Sequence, residues 1–130
     1  MDDERLIFLA LWVSDLEASA GFYRETLGVP LHVGFNEPTG DPWTDGRHYE
    51  HSWRDGAYLH FALFPIRDGV SPTRGAELSF ATTDLDAKHE ELVSNGVAVV
   101  HGPRTWESAG LRMARYRDPD GNVVGFTERI

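Results

Sequence analysis

Apolar and polar residues alternate along several short stretches of this chain. In residues 58–63, the apolar residues Leu59, Phe61 and Leu63 alternate with a tyrosine, a histidine and an alanine at positions 58, 60 and 62. Successive side chains of a strand point to opposite faces, so the pattern predicts one apolar face for helix packing and a second face of aromatic, small or polar side chains. Such a sheet is typical of a curved wall around a ligand cavity. The same alternation occurs in residues 8–13, 77–81 and 123–127.

Two further segments repeat apolar residues at helical spacing. Within residues 16–27 the spacing is four, three and four positions, and Gly28 follows; residues 85–92 show the same periodicity. A glycine just past the last apolar position is typical of a helix C-terminus. Ser14 and Thr83 stand at the predicted N-cap positions, each with an acidic residue three positions later.

The two halves of the chain repeat one pattern. Residues 8–17 match residues 77–86, because each runs from an apolar strand into a helix through an Asp-Leu-acid turn, and matching Gly56 with Gly121 aligns the later strands. Each half therefore predicts a strand, a helix and three strands, which is an α+β arrangement. The expected single domain, residues 1–130, comprises an N-terminal module (5–64), a linker rich in Pro and Gly (65–75) and a C-terminal module (76–130).

The repeat matches two pairs of residues on the less apolar face. Phe8 matches Glu77 and His60 matches Gly125, and in a sheet of paired modules these four positions would converge. His and Glu side chains at all four would bind a divalent metal, but only His60 and Glu77 are potential ligands. Because a catalytic metal generally takes about three protein ligands, the sequence predicts no metal site and no cofactor.

Composition excludes several classes of protein. The chain has 130 residues and a formal net charge of −9, which disfavours nucleic acid and favours cationic partners. It has no cysteine, which excludes disulfides and cysteine nucleophiles. The longest apolar run, residues 6–13, is far shorter than the ~20 residues of a membrane span, and the N-terminus is acidic where a secretion signal is basic. We therefore expect a cytoplasmic protein that does not bind membranes.

Two long polar segments each contain one tryptophan. Trp43 lies in residues 36–46 and Trp106 in residues 102–110. Long loops often carry function, and an indole there either stacks on a ligand or seals the edge of the core. The sequence leaves both alternatives open.

The motifs of both modules resemble one known family. The segments LWVSDLEASAGFYRETLGV and YRDPDGNVVGFTE, within the doubled module, are similar to the vicinal oxygen chelate superfamily of glyoxalase I, bleomycin resistance proteins and extradiol dioxygenases. The resemblance extends from about residue 5 to residue 128. It implies two βαβββ modules forming a curved eight-stranded mixed sheet, with helices on one face and a cavity on the other. It also implies a homodimer, possibly with modules exchanged between chains.

The resemblance bears on metal binding as well. Metal-dependent members take ligands from the first, fourth, fifth and eighth strands, which correspond here to Phe8, His60, Glu77 and Gly125. Phe8 and Gly125 cannot bind a metal, so the chain fits better with the metal-free members, which hold cationic drugs between aromatic side chains. The leading hypothesis is a metal-free protein that binds an aromatic or cationic small molecule and contributes to antibiotic resistance.

The candidate ligand-binding residues come from the less apolar face and from the Trp106 segment. Glu77 would bind the charged end of a cationic ligand. Arg112 would bind an acidic group or else form a salt bridge with Glu77 or Glu107. The full predicted set is Phe8, Trp12, Tyr58, His60, Glu77, Trp106, Arg112 and Gly125.

An enzyme is the alternative function. A divalent metal held by unorthodox ligands would support a lyase, an isomerase or an oxygenase, whereas His60 and Glu77 would form a cofactor-free acid/base pair. A third alternative is an interaction subunit whose cavity is vestigial. The sequence leaves open whether the chain is an enzyme and which ligand it takes.

Overall fold

The part of the chain that the structure describes forms two four-stranded mixed sheets, each with one helix packed against it. The computed structural model describes residues 4–37, 46–67 and 69–130. The chain divides into two compact units, Met1–Thr73 and Arg74–Ile130. The predicted α+β class with two βαβββ modules is confirmed. No helix within the described ranges is both long and apolar enough to cross a membrane.

The elements of both units follow in chain order. The first unit contains β1 (Phe8–Val13), α1 (Leu16–Gly21), a π-helical turn (Phe22–Thr26), β2 (His32–Asn36), β3 (Gly46–Trp53) and β4 (Leu59–Pro65). The second unit contains β5 (Glu77–Ala81), α2 (Leu85–Ser94), β6 (Val99–Trp106), a 3-10 turn (Glu107–Ala109), β7 (Leu111–Arg117) and β8 (Val123–Arg129).

The two sheets share one topology. Their strand orders are β1-β4-β3-β2 and β5-β8-β7-β6. In each sheet the first and last strands of the module pair in parallel, while the remaining pairs are antiparallel. The last strand of each module therefore lies between the first strand and the third, so its side chains have neighbours on both sides.

Each helix covers the apolar face of its own sheet. In the first unit, the ring of Tyr23 meets Phe61 edge-on at 5.8 Å, and Leu63 is fully buried beside it. In the second unit, Tyr116 is fully buried and its hydroxyl lies 2.7 Å from Nδ1 of His89 on α2. Burial of these side chains follows the alternation in the sequence.

The helix N-caps lie one residue later than predicted. Asp15 and Asp84, rather than Ser14 and Thr83, accept hydrogen bonds from the amides three residues on, at 3.0 Å in both cases. An aspartate carboxylate at this position also interacts favourably with the positive end of the helix dipole. Gly28 adopts a positive φ of 83° after the first helical segment, as its position predicts.

One predicted loop differs in the structure. Residues up to Trp106 continue β6, with register shifts at Val99/His101 and His101/Arg104, so the first part of the predicted loop is strand. Thr73 belongs to the first unit because its amide and hydroxyl both bond to the backbone of Trp12. The predicted tryptophan loop around Trp43 lies outside the described residues.

The register corrects one match between the modules. Phe8 pairs with His60, whereas Glu77, the counterpart of Phe8, pairs with Val123. Gly125 instead pairs with Ser79. The two turns are equally long, since five residues separate Trp53 from its partner Leu59 and Arg117 from its partner Val123, but Gly56 is the third and Gly121 the fourth of those five residues, so aligning the glycines does not align the registers.

Hydrogen bonds of its own side chains hold the Asp-Pro-Asp-Gly-Asn turn before β8. The Asp118 carboxylate accepts from the amides of Asp120 and Asn122 and from the Asn122 side chain. Asn122 is fully buried, and its Oδ1 accepts from the amide of Ala76 at the start of β5. The turn therefore ties β8 to its parallel neighbour.

Burial raises the pKa of Tyr116 from 10.0 to about 12. The unfolded chain releases this proton at a lower pH than the folded chain, so we expect the stability contributed by neutral Tyr116 to be complete below pH 10 and lost towards pH 12. Relative to Tyr116→Phe, the wild-type free energy of unfolding should fall by about 2–3 kcal/mol across that window. Urea unfolding of both proteins at several pH values measures this difference; parallel curves would contradict it.

Candidate functional site

A network of polar side chains crosses the sheet face of the first unit that lies opposite α1. His48, Glu50 and Ser52 alternate along β3 and share this face with His60 of the neighbouring β4. Ser52 pairs directly with His60. Directly opposed residues on adjacent strands have Cβ atoms only about 5 Å apart, so these side chains are within hydrogen-bonding reach.

His60 lies between a hydroxyl and a carboxylate. Its Nδ1 is 2.6 Å from Oγ of Ser52, and its Nε2 is 3.2 Å from Oε1 of Glu50. A carboxylate only accepts, so the Nε2 proton points to Glu50 and leaves the Nδ1 lone pair for the Ser52 hydroxyl. The hydroxyl of Tyr58 lies 3.3 Å from the same Ser52 oxygen.

Glu50 also binds a second, buried histidine. Nε2 of His48 is 3.0 Å from Oε1 of Glu50, while Nδ1 of His48 is 3.1 Å from the carbonyl of Gly46. Both ring nitrogens face acceptors, and only 2% of the side chain is exposed. Both nitrogens of this buried ring therefore have an oxygen partner within hydrogen-bond distance.

A glycine on the edge strand makes room for this pair. A Cβ placed on Gly34 would lie 2.5 Å from Oε2 of Glu50 and 2.8 Å from Nε2 of His48. Any side chain at position 34 would therefore push the carboxylate and the imidazole out of place. The aromatic ring of Phe64 stacks on the other side of His48, with centroids 4.9 Å apart.

A surface pocket of about 440 Å³ opens beside the network at the β3–β4 hairpin. This volume suits a small organic molecule. Its walls combine imidazole and phenol rings with a carboxylate, a hydroxyl and the guanidinium of Arg54, which lies 5.0 Å from the ring centroid of Tyr58. The lining residues are His32, Glu50, His51, Ser52, Arg54, Tyr58 and His60.

The structure brings three of the predicted first-unit residues together. Tyr58 and His60 line the pocket, and the ring of Phe8 stacks on His60 at a centroid distance of 5.4 Å and an interplanar angle of 10°. Trp12 lies further along the same face, where its ring packs against Phe64 at 5.3 Å.

Glu77, Gly125 and Trp106 lie together on the second sheet. Nε of Arg115 donates to Glu77 at 2.8 Å, and the Arg115 guanidinium lies 5.8 Å from the Trp106 ring centroid. Gly125 is the cross-strand partner of Arg115, and its lack of a side chain leaves the space across β8 clear for this contact. A Cβ on Gly125 would lie 2.9 Å from the carbonyl of Ala114.

Arg112 occupies the opposite face of the second sheet. It forms a bidentate pair with Asp86 of α2, at 3.0 and 3.1 Å, and a longer contact of 3.5 Å with Glu128. Its partners are therefore not Glu77 or Glu107, because β7 turns residue 112 towards the helix. Hydrogen bonding to Arg112 lowers the pKa of Asp86.

The donor set at the predicted metal positions does not fit a metal ion. Phe8 and Gly125 offer no donor, both ring nitrogens of His60 already have partners, and Glu77 is paired with Arg115. Within residues 4–37, 46–67 and 69–130, no group of three or more histidines, aspartates or glutamates is arranged to hold a metal.

Sequence reasoning missed Glu50 and Ser52. His48 and His51 lie on opposite faces of β3 because they are three residues apart, and the same alternation puts Glu50 and Ser52 on the His48 face. The polar residues at positions 48, 50 and 52 indicate a polar face on β3. They identify a site only once β3 is known to pair with β4 so that Ser52 lies opposite His60.

We expect Gly34→Ala to separate Glu50 from His48, since the added methyl group occupies the space of both. Leaving a buried imidazole nitrogen without its partner should lower the free energy of unfolding by about 1–3 kcal/mol. Gly21→Ala is the matched control, because Gly21 has helical dihedral angles and open space around its Cβ position. Urea denaturation measures the free energy of unfolding of both variants. Equal values for Gly34→Ala and Gly21→Ala would refute this role of Gly34.

The chain is similar to several known proteins over nearly its whole length. The chain is 30% identical to TnmS3, an antibiotic binding protein from Streptomyces sp. CB03234, with 100% of this chain and 99% of that chain covered and a TM-score of 0.69. It is 29% identical over 132 residues to virulence protein STM3117 of Salmonella typhimurium, covering 98% and 85% of the two chains.

A superfamily member from Sphaerobacter thermophilus DSM 20745 is 28% identical, with 98% of each chain covered and a TM-score of 0.69. The family model for these proteins matches residues 5–126. The chain therefore belongs to the Glyoxalase/Bleomycin resistance protein/Dioxygenase superfamily.

Proposed function

We propose that this protein binds a small aromatic or cationic molecule, without a metal, in the pocket beside Tyr58 and His60. The observation that carries this proposal is the pocket wall itself, in which the phenol ring of Tyr58 and the imidazole rings of three histidines occur together with the Glu50 carboxylate. Ring faces attract flat aromatic groups and cations, and a half-buried carboxylate attracts amines.

Arg54 and Tyr58 support a preference for cations. The Arg54 guanidinium already lies over the Tyr58 ring at 5.0 Å, so that ring face is accessible to a positive group. A ligand cation would replace Arg54 there and approach Glu50 from the pocket. The formal net charge of −9 would concentrate cationic ligands around the whole molecule.

The comparisons support the same class of function. TnmS3 is an antibiotic binding protein and is similar to this chain over its full length. We infer that sequestration of a drug-like molecule, with a resulting contribution to antibiotic resistance, would suffice as a role for a cytoplasmic protein of this kind. A homodimer, with or without exchange of modules, is part of the proposal.

Calorimetric titration with three sets of aromatic compounds, cationic, neutral and anionic, tests the proposal. We expect the cationic set, which includes bleomycin, to bind best and to bind equally with and without EDTA. Glu50→Gln should weaken binding of cations by about tenfold to a hundredfold, because it removes a charged partner. Tyr58→Leu should weaken binding of all aromatic compounds, because it removes the ring face.

Glu91→Gln on the outer side of α2 is the matched control, since Glu91 is an exposed acid that pairs with Lys88. It should leave the affinities unchanged. Binding that is abolished by EDTA, or that is equal in Glu50→Gln, Tyr58→Leu and Glu91→Gln, would contradict the proposal.

A further inference from the structure

Three side chains in the first unit have the geometry of an activated nucleophile. Oγ of Ser52 lies 2.6 Å from Nδ1 of His60, and Nε2 of His60 lies 3.2 Å from Oε1 of Glu50. A nucleophile, its base and a third group that orients the base, each within hydrogen-bond reach of the next, are the parts that covalent acyl transfer requires. We propose that Ser52 is the nucleophile of an esterase activity, with His60 as general base and Glu50 as positioning residue.

The hydrogen bonds assign the proton to the position that this activity needs. Because Nε2 of His60 faces the acceptor Glu50, the neutral ring carries its proton there and presents a lone pair at Nδ1. The Ser52 hydroxyl donates to that lone pair, which leaves the serine oxygen free to accept from Tyr58 at 3.3 Å. The distance from Ser52 to His60 is at the short end for a hydrogen bond involving a hydroxyl.

The surroundings hold His60 in this orientation. The ring of Phe8 lies parallel to the imidazole, and the carboxylate of Glu50 fixes the edge away from Ser52. Glu50 is itself held by His48, which is buried. A base whose ring plane and tautomer are both set by its neighbours loses little freedom when it takes up a proton.

Ser52 is also open to a substrate. It lines the pocket of about 440 Å³ together with Tyr58 and Arg54. The phenol hydroxyl and the guanidinium are donors on the same wall as the nucleophile, so they are the groups that would stabilise negative charge on a carbonyl oxygen. An ester whose acyl group is small and whose alcohol is aromatic matches the volume and the aromatic lining of this pocket.

The reaction balances without any further reagent except water. Ser52 attacks the carbonyl carbon of the ester while its proton moves to Nδ1 of His60; the bond to the alcohol then breaks, and the same proton is transferred to the departing alcohol. Water next attacks the acyl-Ser52 ester, giving a proton to His60, and the serine oxygen leaves and regains that proton. One ester and one water yield one carboxylic acid and one alcohol.

The inference uses the proposed pocket but does not depend on the proposed ligand. A protein that binds cationic aromatic compounds without acylating Ser52 would keep the proposed function and lose this one. Acylation of Ser52 without binding of those compounds would support the esterase activity and contradict the proposed ligand class.

Reaction of the full chain with p-nitrophenyl acetate tests the proposal. We expect a burst of p-nitrophenol and one acetyl group per chain, located on Ser52 by peptide mass spectrometry. His60→Gln should lower the acetylation rate constant by about a hundredfold or more. Glu50→Gln should lower it by about tenfold or more with an unchanged half-saturating ester concentration, since the amide keeps an acceptor for Nε2 but loses the charge.

Two further variants make the result specific. Ser79→Ala is the matched control, because the Ser79 hydroxyl also has a close partner, but that partner is the hydroxyl of Thr127 at 2.6 Å; this variant should react like the wild type. His60→Ala should regain activity when imidazole is added, which a merely misfolded variant would not. Absence of an adduct on Ser52, or equal labelling of Ser52 in His60→Gln, would overturn the proposal.

Discussion

Parallel pairing of the first and last strands is the constraint on which each unit depends. It places β4 between β1 and β3, so that His60 has Phe8 on one side and Ser52 on the other. The stacking ring and the hydrogen-bonding hydroxyl both follow from this position in the sheet. In the second unit the same pairing puts β8 between β5 and β7, and Arg115 reaches Glu77 across Gly125. One topology therefore yields a histidine network in one unit and a guanidinium–carboxylate pair in the other.

The carboxylate of Glu50 shows how closely stability and chemistry are connected in the first unit. It accepts from the buried His48 and from the half-buried His60 through the same oxygen. Moving it towards either histidine weakens the contact with the other, so its position is determined by both. The missing side chain at Gly34 is equally part of the site, because the space that it leaves is occupied by the carboxylate and the imidazole.

Much of the fold could be predicted from the sequence, whereas the site could be predicted only in part. Alternation in β4 placed His60 away from the helix because a strand has a strict period of two. Glu50 and Ser52 were missed because a single strand does not reveal the register of its neighbour. The match of Gly125 to His60 failed for a related reason: Gly56 and Gly121 occupy different positions in two turns of equal length, so aligning these glycines does not reveal the register of the strands that follow.

The parallel register has a consequence for how such a doubled chain diverges. Glu77 pairs with Val123 and not with Gly125, two residues further along β8, and a shift of two moves a strand along its neighbour while every side chain stays on its own face. A shift of one would have turned the apolar residues of β4 or β8 to the outside. Each even step of register gives the open face a new set of neighbours while the core keeps its composition, so the parallel pair is a place where a duplicated module acquires new chemistry without refolding.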